Sequence, residues 1–351
     1  MAAAVAGLES SVVAKSVEEL SASAGSPPEK YILKDGIGGT NFPLMDVAVI
    51  DVALLTSSSP EGEREVEKLG LALSDCGYIQ AVNHGIEESF LDEVHAMIKQ
   101  FFSLPKEEKM KCARQKDDLD GYGNDSVYSD KQILDWNDRL YLMVKPEYQR
   151  KLKVWPQNPA NFREVLVDLT SKLEKIDEVM LKAMARYLKL EDEECFAKQY
   201  GENPTALSRF NYYPPCRRPD AVLAAKAHAD GSAMTYLLQD RIVEGLQTLK
   251  DGQWYKVPIV PNAIVVNVGD QMEIMSNGIF KSPTHRVVTN PEKERMTLGI
   301  FFGPDATTEI GVVEELVDEK RPRLYKSVVD YPRNTFPFIQ LGKKPIDLVR
   351  L

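Results

Sequence analysis

The chain has 351 residues, 43% hydrophobic and 27% charged, and its 53 acidic against 43 basic side chains give a formal net charge of −10. That length can bury a large core, and the composition is that of an ordinary soluble globular protein. The acidic excess argues against non-specific attraction to nucleic acid or to an anionic membrane. No apolar run approaches the roughly 18 residues of a membrane span. The opening "MAAAVAGLESSVVAKSVEEL" lacks the basic-then-apolar layout of a signal peptide. Cys76, Cys112, Cys195 and Cys216 are dispersed without a CxxC pair. Free thiols and a cytoplasmic location are therefore expected.

In chain order, residues 1–44 read as a leader, partly flexible, with a short helical patch at "SVEELSAS" before Pro- and Gly-rich sequence. Residues 45–200 read as mainly helical. "EGEREVEKLGLALSDCG" and "ESFLDEVHAMIKQFFSL" both carry apolar residues at helical spacing, and "CGYIQAVNHGI" between them reads as a short strand ending in a turn. His84 in that turn suits turn stabilisation, and His95 is expected to be peripheral. From Phe162, the residues Leu166, Leu169, Leu173, Ile176, Met180, Met184 and Tyr187 recur every three or four positions, as one buried helix face requires. Over 201–305 the texture changes to short strands split by Gly, Pro and Asp. "KDGQW" there carries a hairpin signal. Strands so short and close predict a barrel or a double-sheet jelly roll. Residues 306–351 form a C-terminal extension expected to close the site.

Within the strand-rich region, "KAHADGSAMTYLLQD" places His228 and Asp230 on either side of Ala229. On a strand, residues i and i+2 share a face, so both side chains would project together. A bare His-x-Asp is short enough to be a core histidine beside a turn aspartate. A third candidate, His285 in "KSPTHRVVTN", lies 57 residues on. Two histidines and a carboxylate make the facial triad that suits ferrous iron and leaves positions open for substrate and oxygen. Ten residues further, "ERMTLGIFF" places Arg295 and Thr297 on one strand face. A guanidinium forks onto a carboxylate and a hydroxyl adds a donor, an arrangement suited to the far end of a dicarboxylic acid. "RFNYYPPC" offers Asn211 and Tyr213 at the same i, i+2 spacing.

With these motifs the sequence resembles the plant 2-oxoglutarate- and Fe(II)-dependent dioxygenases, from about residue 45 to the end. Further marks are "FFSLPKEEKMK", "ILDWNDRLYL" and "GLQTLKDGQWYKVPIVPNAIVVNVGDQMEIMSNGIFKSPTHRVV". The details lean toward the specialised-metabolite and xenobiotic branch, near the cereal enzymes that inactivate triketone herbicides and the alkaloid O-demethylases. The resemblance implies a mainly β fold with flanking helices, a double-stranded β-helix (jelly roll) core wrapped by N-terminal α-helices. It implies His228, Asp230 and His285 as iron ligands, and Arg295, Thr297, Asn211 and Tyr213 around the co-substrate. It also implies Fe(II), 2-oxoglutarate and dioxygen (O2) as participants, with ascorbate as reductant. Many relatives have serine where Thr297 stands, and serine or threonine where Ala229 stands. By the same resemblance Arg139, Tyr141 and Phe301 are candidates for contact with the substrate.

The expected activity is hydroxylation, or O-demethylation by hydroxylation, of a small, largely apolar plant metabolite, hormone or xenobiotic. A monomer is expected, with no nucleic-acid or membrane partner. Two other classes compete. A non-catalytic small-molecule-binding protein on the same fold would tolerate loss of a ligand, yet all three are present. A zinc hydrolase would want a nearby general base and would leave Arg295 and Thr297 unexplained.

Overall fold

The computed structural model describes residues 15–23, 25–39, 41–116 and 118–351. The longer helices of the N-terminal half, among the described residues, are α2 (Pro60–Asp75), α3 (Glu88–Phe102) and the 26-residue α4 (Phe162–Tyr187), preceded by the short α1 (Val17–Ala22). Local sequence accounts for their starts. Ser16 and Glu19 form a reciprocal capping box on α1, and Ser59 caps α2 ahead of Pro60. The apolar stripe of α4 is buried from Phe162 to Met184, with Tyr187 half-buried at its end. Gly70 on α2 lets the two helices meet, since a Cβ there would lie 2.0 Å from the Tyr187 ring.

Apart from a two-stranded ribbon of Glu309–Ile310 with Val328–Val329, the strands among the described residues fall into two open sheets, so of the two architectures the chain adopts the double-sheet one and not a closed barrel. The larger contains β1 (Val49–Asp51), β2 (Tyr78–Val82), β3 (Gly121–Gly123), β4 (Asp138–Lys145) and β5 (Thr205–Tyr213). The smaller begins with β6 (Leu223–His228), after which β7 (Met234–Leu238) returns to the larger sheet. A hairpin of β8 (Leu246–Lys250) and β9 (Gln253–Lys256) follows. Then come β10 (Ile264–Val268), β11 (His285–Val288) and β12 (Arg295–Gly303). The larger sheet runs β1-β2-β10-β7-β12-β5-β4-β3 and the smaller β6-β11-β8-β9. Asp251 and Gly252 join β8 to β9 with φ of 50° and 78°, the two left-handed positions that a tight hairpin demands.

Alternation along the larger sheet divides its two faces. On β12, Leu298, Ile300 and Phe302 join the main core with α2, α3 and α4. Arg295, Thr297, Gly299 and Phe301 instead line a cavity between the sheets. Two further helices frame that cavity, α5 (Asp270–Met275) after β10 and α6 (Tyr331–Gln340) near the C-terminus. The stretch read as a leader is more firmly docked than that reading implies. Val17 and Tyr31 are buried with Trp136, Cys216 and Val222, and the Asp138 carboxylate accepts the backbone N–H groups of Val17 and Glu18, each at 3.0 Å. Residues 1–14 lie outside the described residues.

Candidate active site

β6 and β11 are neighbours in the smaller sheet, and their register sets His285 opposite His228. Strand alternation does not carry Asp230 there, as the sequence spacing had suggested, because β6 ends at His228. The chain bends instead, and the Asp230 carbonyl accepts the Asp270 N–H at 2.8 Å. The outcome is the same convergence: both imidazole Nε2 atoms lie 3.6 Å from Asp230 Oδ1. One ligand atom from each residue falls within 4.8 Å of the others.

The neighbours of these side chains fix which atoms remain free. His228 Nδ1 lies 2.8 Å from the Lys226 carbonyl, and His285 Nδ1 lies 3.2 Å from that of Pro283. A carbonyl can only accept, so each Nδ1 carries the proton and each Nε2 presents its lone pair inward. Asp230 Oδ2 accepts from Thr235 Oγ1 at 2.8 Å and from Asn267 Nδ2 at 2.9 Å, which leaves Oδ1 for a metal. Burial, with His285 beside it, pulls the His228 imidazole down to about 4 and keeps it neutral. Burial pushes the Asp230 carboxyl the other way, but the two histidines and the two donors outweigh it and hold the group below its ordinary range. Two imidazoles and one carboxylate converging within 4.8 Å fit an open-sided ferrous site.

The second cluster lies on β12 and β5, where Arg295 faces Tyr213 and Thr297 faces Asn211. All four line the same cavity as the triad. Arg295 is 3% exposed, donates Nε to the Val243 carbonyl at 3.1 Å and has its guanidinium carbon 5.5 Å from the centre of the Tyr213 ring. Among the described residues it has no ion-pair partner, and a buried guanidinium without one is suited to a carboxylate ligand. Gly245 makes room for it, since a Cβ there would come within 3.0 Å of Arg295 Cδ. Asn211 is held in one orientation: its Oδ1 accepts from Arg209 Nε and Asn137 Nδ2, both at 2.9 Å. Its Nδ2 therefore donates to Thr297 Oγ1 at 3.2 Å, which frees the threonine hydroxyl to donate toward a ligand.

The remaining cavity wall revises the substrate candidates. The cavity measures about 160 Å³, and Tyr141 and Phe301 do line it. Arg139 does not. It is fully buried, with Nε on Asp125 Oδ1 at 3.0 Å and Nη1 on the carbonyls of Leu119 (2.6 Å) and Gly121 (2.8 Å). The cation that reaches the cavity from this region is Arg209, paired with the other side of Asp125 at 2.7 Å. Lys226, paired with Asp135 at 2.8 Å, is a second. Phe336, Ile339 and Gln340 of α6 close the wall. Spacing pointed to none of these: Arg209 could have been found as the i−2 neighbour of Asn211, whereas the α6 residues carry no local signal. His84 does hold its turn, with Nε2 2.9 Å from the Asn262 carbonyl and Nδ1 accepting from the Ile86 N–H at 3.1 Å. The four cysteines are free thiols. No helix among the described residues is long and apolar enough to cross a membrane.

Known proteins place this geometry. Residues 204–304 match the 2OG-Fe(II) oxygenase superfamily, and residues 47–158 match the N-terminal region of the non-haem dioxygenases in morphine synthesis. Protein SRG1 of Arabidopsis thaliana is 36% identical, with 97% of this chain and 98% of that protein covered. Codeine O-demethylase of Papaver somniferum is 38% identical over 80% of this chain and 78% of its own length. Among solved structures, JOX2 in complex with 2OG, Fe and JA superposes with a TM-score of 0.86 at 29% identity, covering 97% of this chain and 98% of that one. With a metal-competent His228–Asp230–His285 cluster set between two jelly-roll sheets, the chain belongs to the 2OG-Fe(II) oxygenase superfamily, as an Fe(II)- and 2-oxoglutarate-dependent dioxygenase.

Proposed function

We propose that the substrate is a small, largely apolar ring compound, a plant specialised metabolite, hormone or xenobiotic, which the protein hydroxylates or O-demethylates by hydroxylating its methyl group. The observation that carries this reading is the division of the cavity. Along the β12–β5 ladder, Arg295 and Thr297 pair with Tyr213 and Asn211 toward one end while Phe301 pairs with Leu207 toward the other, and Phe336 and Ile339 add apolar lining to the same cavity as the triad. When bound, Fe(II) with 2-oxoglutarate and O2 supplies the oxidising power, and the keto acid ends as succinate and carbon dioxide.

The protein's own residues do the rest. His228, Asp230 and His285 would hold the metal through three positions and leave the others to ligands. Arg295 binds the far carboxylate of 2-oxoglutarate bidentately, Thr297 donates to it, and Asn211 and Tyr213 hold those two in place. The aromatic and aliphatic wall orients the substrate carbon toward the metal and excludes water from it. Hydroxylation of an O-methyl carbon gives a hemiacetal that collapses to alcohol and formaldehyde, so one active site serves either outcome. A cytoplasmic monomer, with ascorbate keeping the iron ferrous, completes this reading.

The test is a screen of O-methylated and unmethylated phenolics, terpenoids, alkaloids and triketones. Succinate release is followed with each compound, and formaldehyde with the methylated ones. Stimulation by at least one apolar ring compound is the expected result. Tight binding of such a compound to iron-loaded protein, with no succinate formed, would favour the non-catalytic binding reading instead.

A further inference from the structure

Tyr78 is an acid–base-capable side chain that the account so far has not used. It sits on β2 directly opposite Asn267 of β10, and opposite residues of an antiparallel pair point to the same face. Asn267 uses that face to reach Asp230, so Tyr78 is aimed at the metal centre. Its ring meets the His285 ring edge-on at 6.2 Å, and it packs with Tyr213, Ala225, Leu246 and Val287 of the inter-sheet cluster. It is 1% exposed. Tyr78 lines the cavity, and its buried hydroxyl has no hydrogen-bond partner among the described residues.

A buried donor without an acceptor costs free energy, and native structures rarely keep one without a use. The co-substrate has the complementary deficit. A 2-oxo acid chelates a metal through its keto oxygen and one oxygen of the adjacent carboxylate, and the second oxygen of that carboxylate then needs a donor. Arg295 and Thr297 are committed to the opposite end of the molecule. We propose that the Tyr78 hydroxyl donates a hydrogen bond to the keto-acid end of 2-oxoglutarate, making Tyr78 a co-substrate-binding residue at the metal. This rests on the co-substrate orientation given above.

Tyr78→Phe removes only the hydroxyl and keeps the ring against His285. Wild type and variant are loaded with Fe(II) without oxygen and titrated with 2-oxoglutarate, following the visible iron-to-keto-acid charge-transfer band, and the thermal stability of each is measured with and without ligand. In the variant, 2-oxoglutarate binds about tenfold more weakly, as loss of one charge-assisted hydrogen bond predicts. The band is displaced, because the lost bond was at the chromophore. Iron content is unchanged. The ligand-free variant is at least as stable as wild type, since an unpaired buried hydroxyl has been removed. Equal affinity with an unmoved band overturns the proposal, as does weaker affinity with an unmoved band, which puts the contact elsewhere. A less stable ligand-free variant with unchanged affinity assigns Tyr78 to packing alone and also overturns it. Absence of the band in wild type instead removes the co-substrate reading on which the proposal stands, and so is told apart from failure at Tyr78.

Discussion

The two halves of the cavity are built differently. The co-substrate half is made by strands: Arg295 and Thr297 on β12 face Tyr213 and Asn211 on β5, and His285 on β11 faces His228 on β6. Every ligating group there is oriented by a named neighbour, from the Lys226 and Pro283 carbonyls to Thr235 and Asn267. The half proposed for the substrate draws on residues remote in sequence: Asp125 and Asp135 between β3 and β4, Tyr141 on β4, and Phe336, Ile339 and Gln340 on α6. A sheet fixes positions through its hydrogen-bond ladder, while the loop and terminal-helix residues that join Tyr141, Leu207 and Phe301 in the other wall can change without disturbing it. On the proposed function, the reaction is written into the strand-built half and the choice of substrate into the other.

The sharpest way to break that division is at the metal. Asp230→Ala leaves two imidazoles without the carboxylate, and the variant should lose bound iron and more than about a thousandfold of its turnover. Metal analysis beside succinate release checks this. Next in size is a stability effect in the substrate half. Asp125 joins Arg139 and Arg209, so Asp125→Ala strands two buried cations and should cost about 3–5 kcal/mol in urea unfolding. Burial favours the neutral form of Asp125, but the Arg209 and Arg139 charges outweigh it and hold the carboxyl far below its ordinary range. A depressed folded pKa contributes stability that is present above the unfolded value of roughly 3.9 and lost as pH falls below it toward the folded value. The stability gap between wild type and Asp125→Ala should therefore narrow below about pH 4.

Three smaller effects sharpen the comparison. Arg295→Gln should weaken 2-oxoglutarate about a hundredfold, roughly 2.7 kcal/mol, with iron content unchanged, and Arg295→Lys should recover only part because the fork is lost. Thr235→Val removes a donor to Asp230 and should lower iron affinity about tenfold, read by competition with a chelator. Phe301→Ala or Phe336→Ala should raise the substrate KM several-fold while leaving the 2-oxoglutarate dissociation constant alone. A matching change in co-substrate affinity would contradict the division of the cavity.

How much of this was legible in the sequence follows the same line. Period-two spacing exposed Arg295 with Thr297 and Asn211 with Tyr213, and the register bears out that each pair shares a face. His228 and Asp230 were found by the same rule, although β6 ends at His228 and Asp230 lies just past the strand. The helical period marked α4 because one long buried stripe needs no tertiary knowledge. Arg139 shows where local reading stops. Nothing in "ILDWNDRLYL" reveals that Asp125, more than ten residues upstream, stands between it and the cavity while Arg209 takes the exposed side of that carboxylate. Tyr78 was passed over for a similar reason: its strand was recognised, but its approach to Asp230 depends on pairing with Asn267, far along the chain.

The central claim is that His228, Asp230 and His285 hold iron beside a bound keto acid, and one measurement addresses it most directly. Fe(II) and then 2-oxoglutarate are added without oxygen to wild type and to His228→Ala, and the visible charge-transfer band is recorded. The account predicts a saturable band in wild type that is absent from the folded variant. Folded, iron-loaded wild type with no band, or a band of equal strength in His228→Ala, would contradict it.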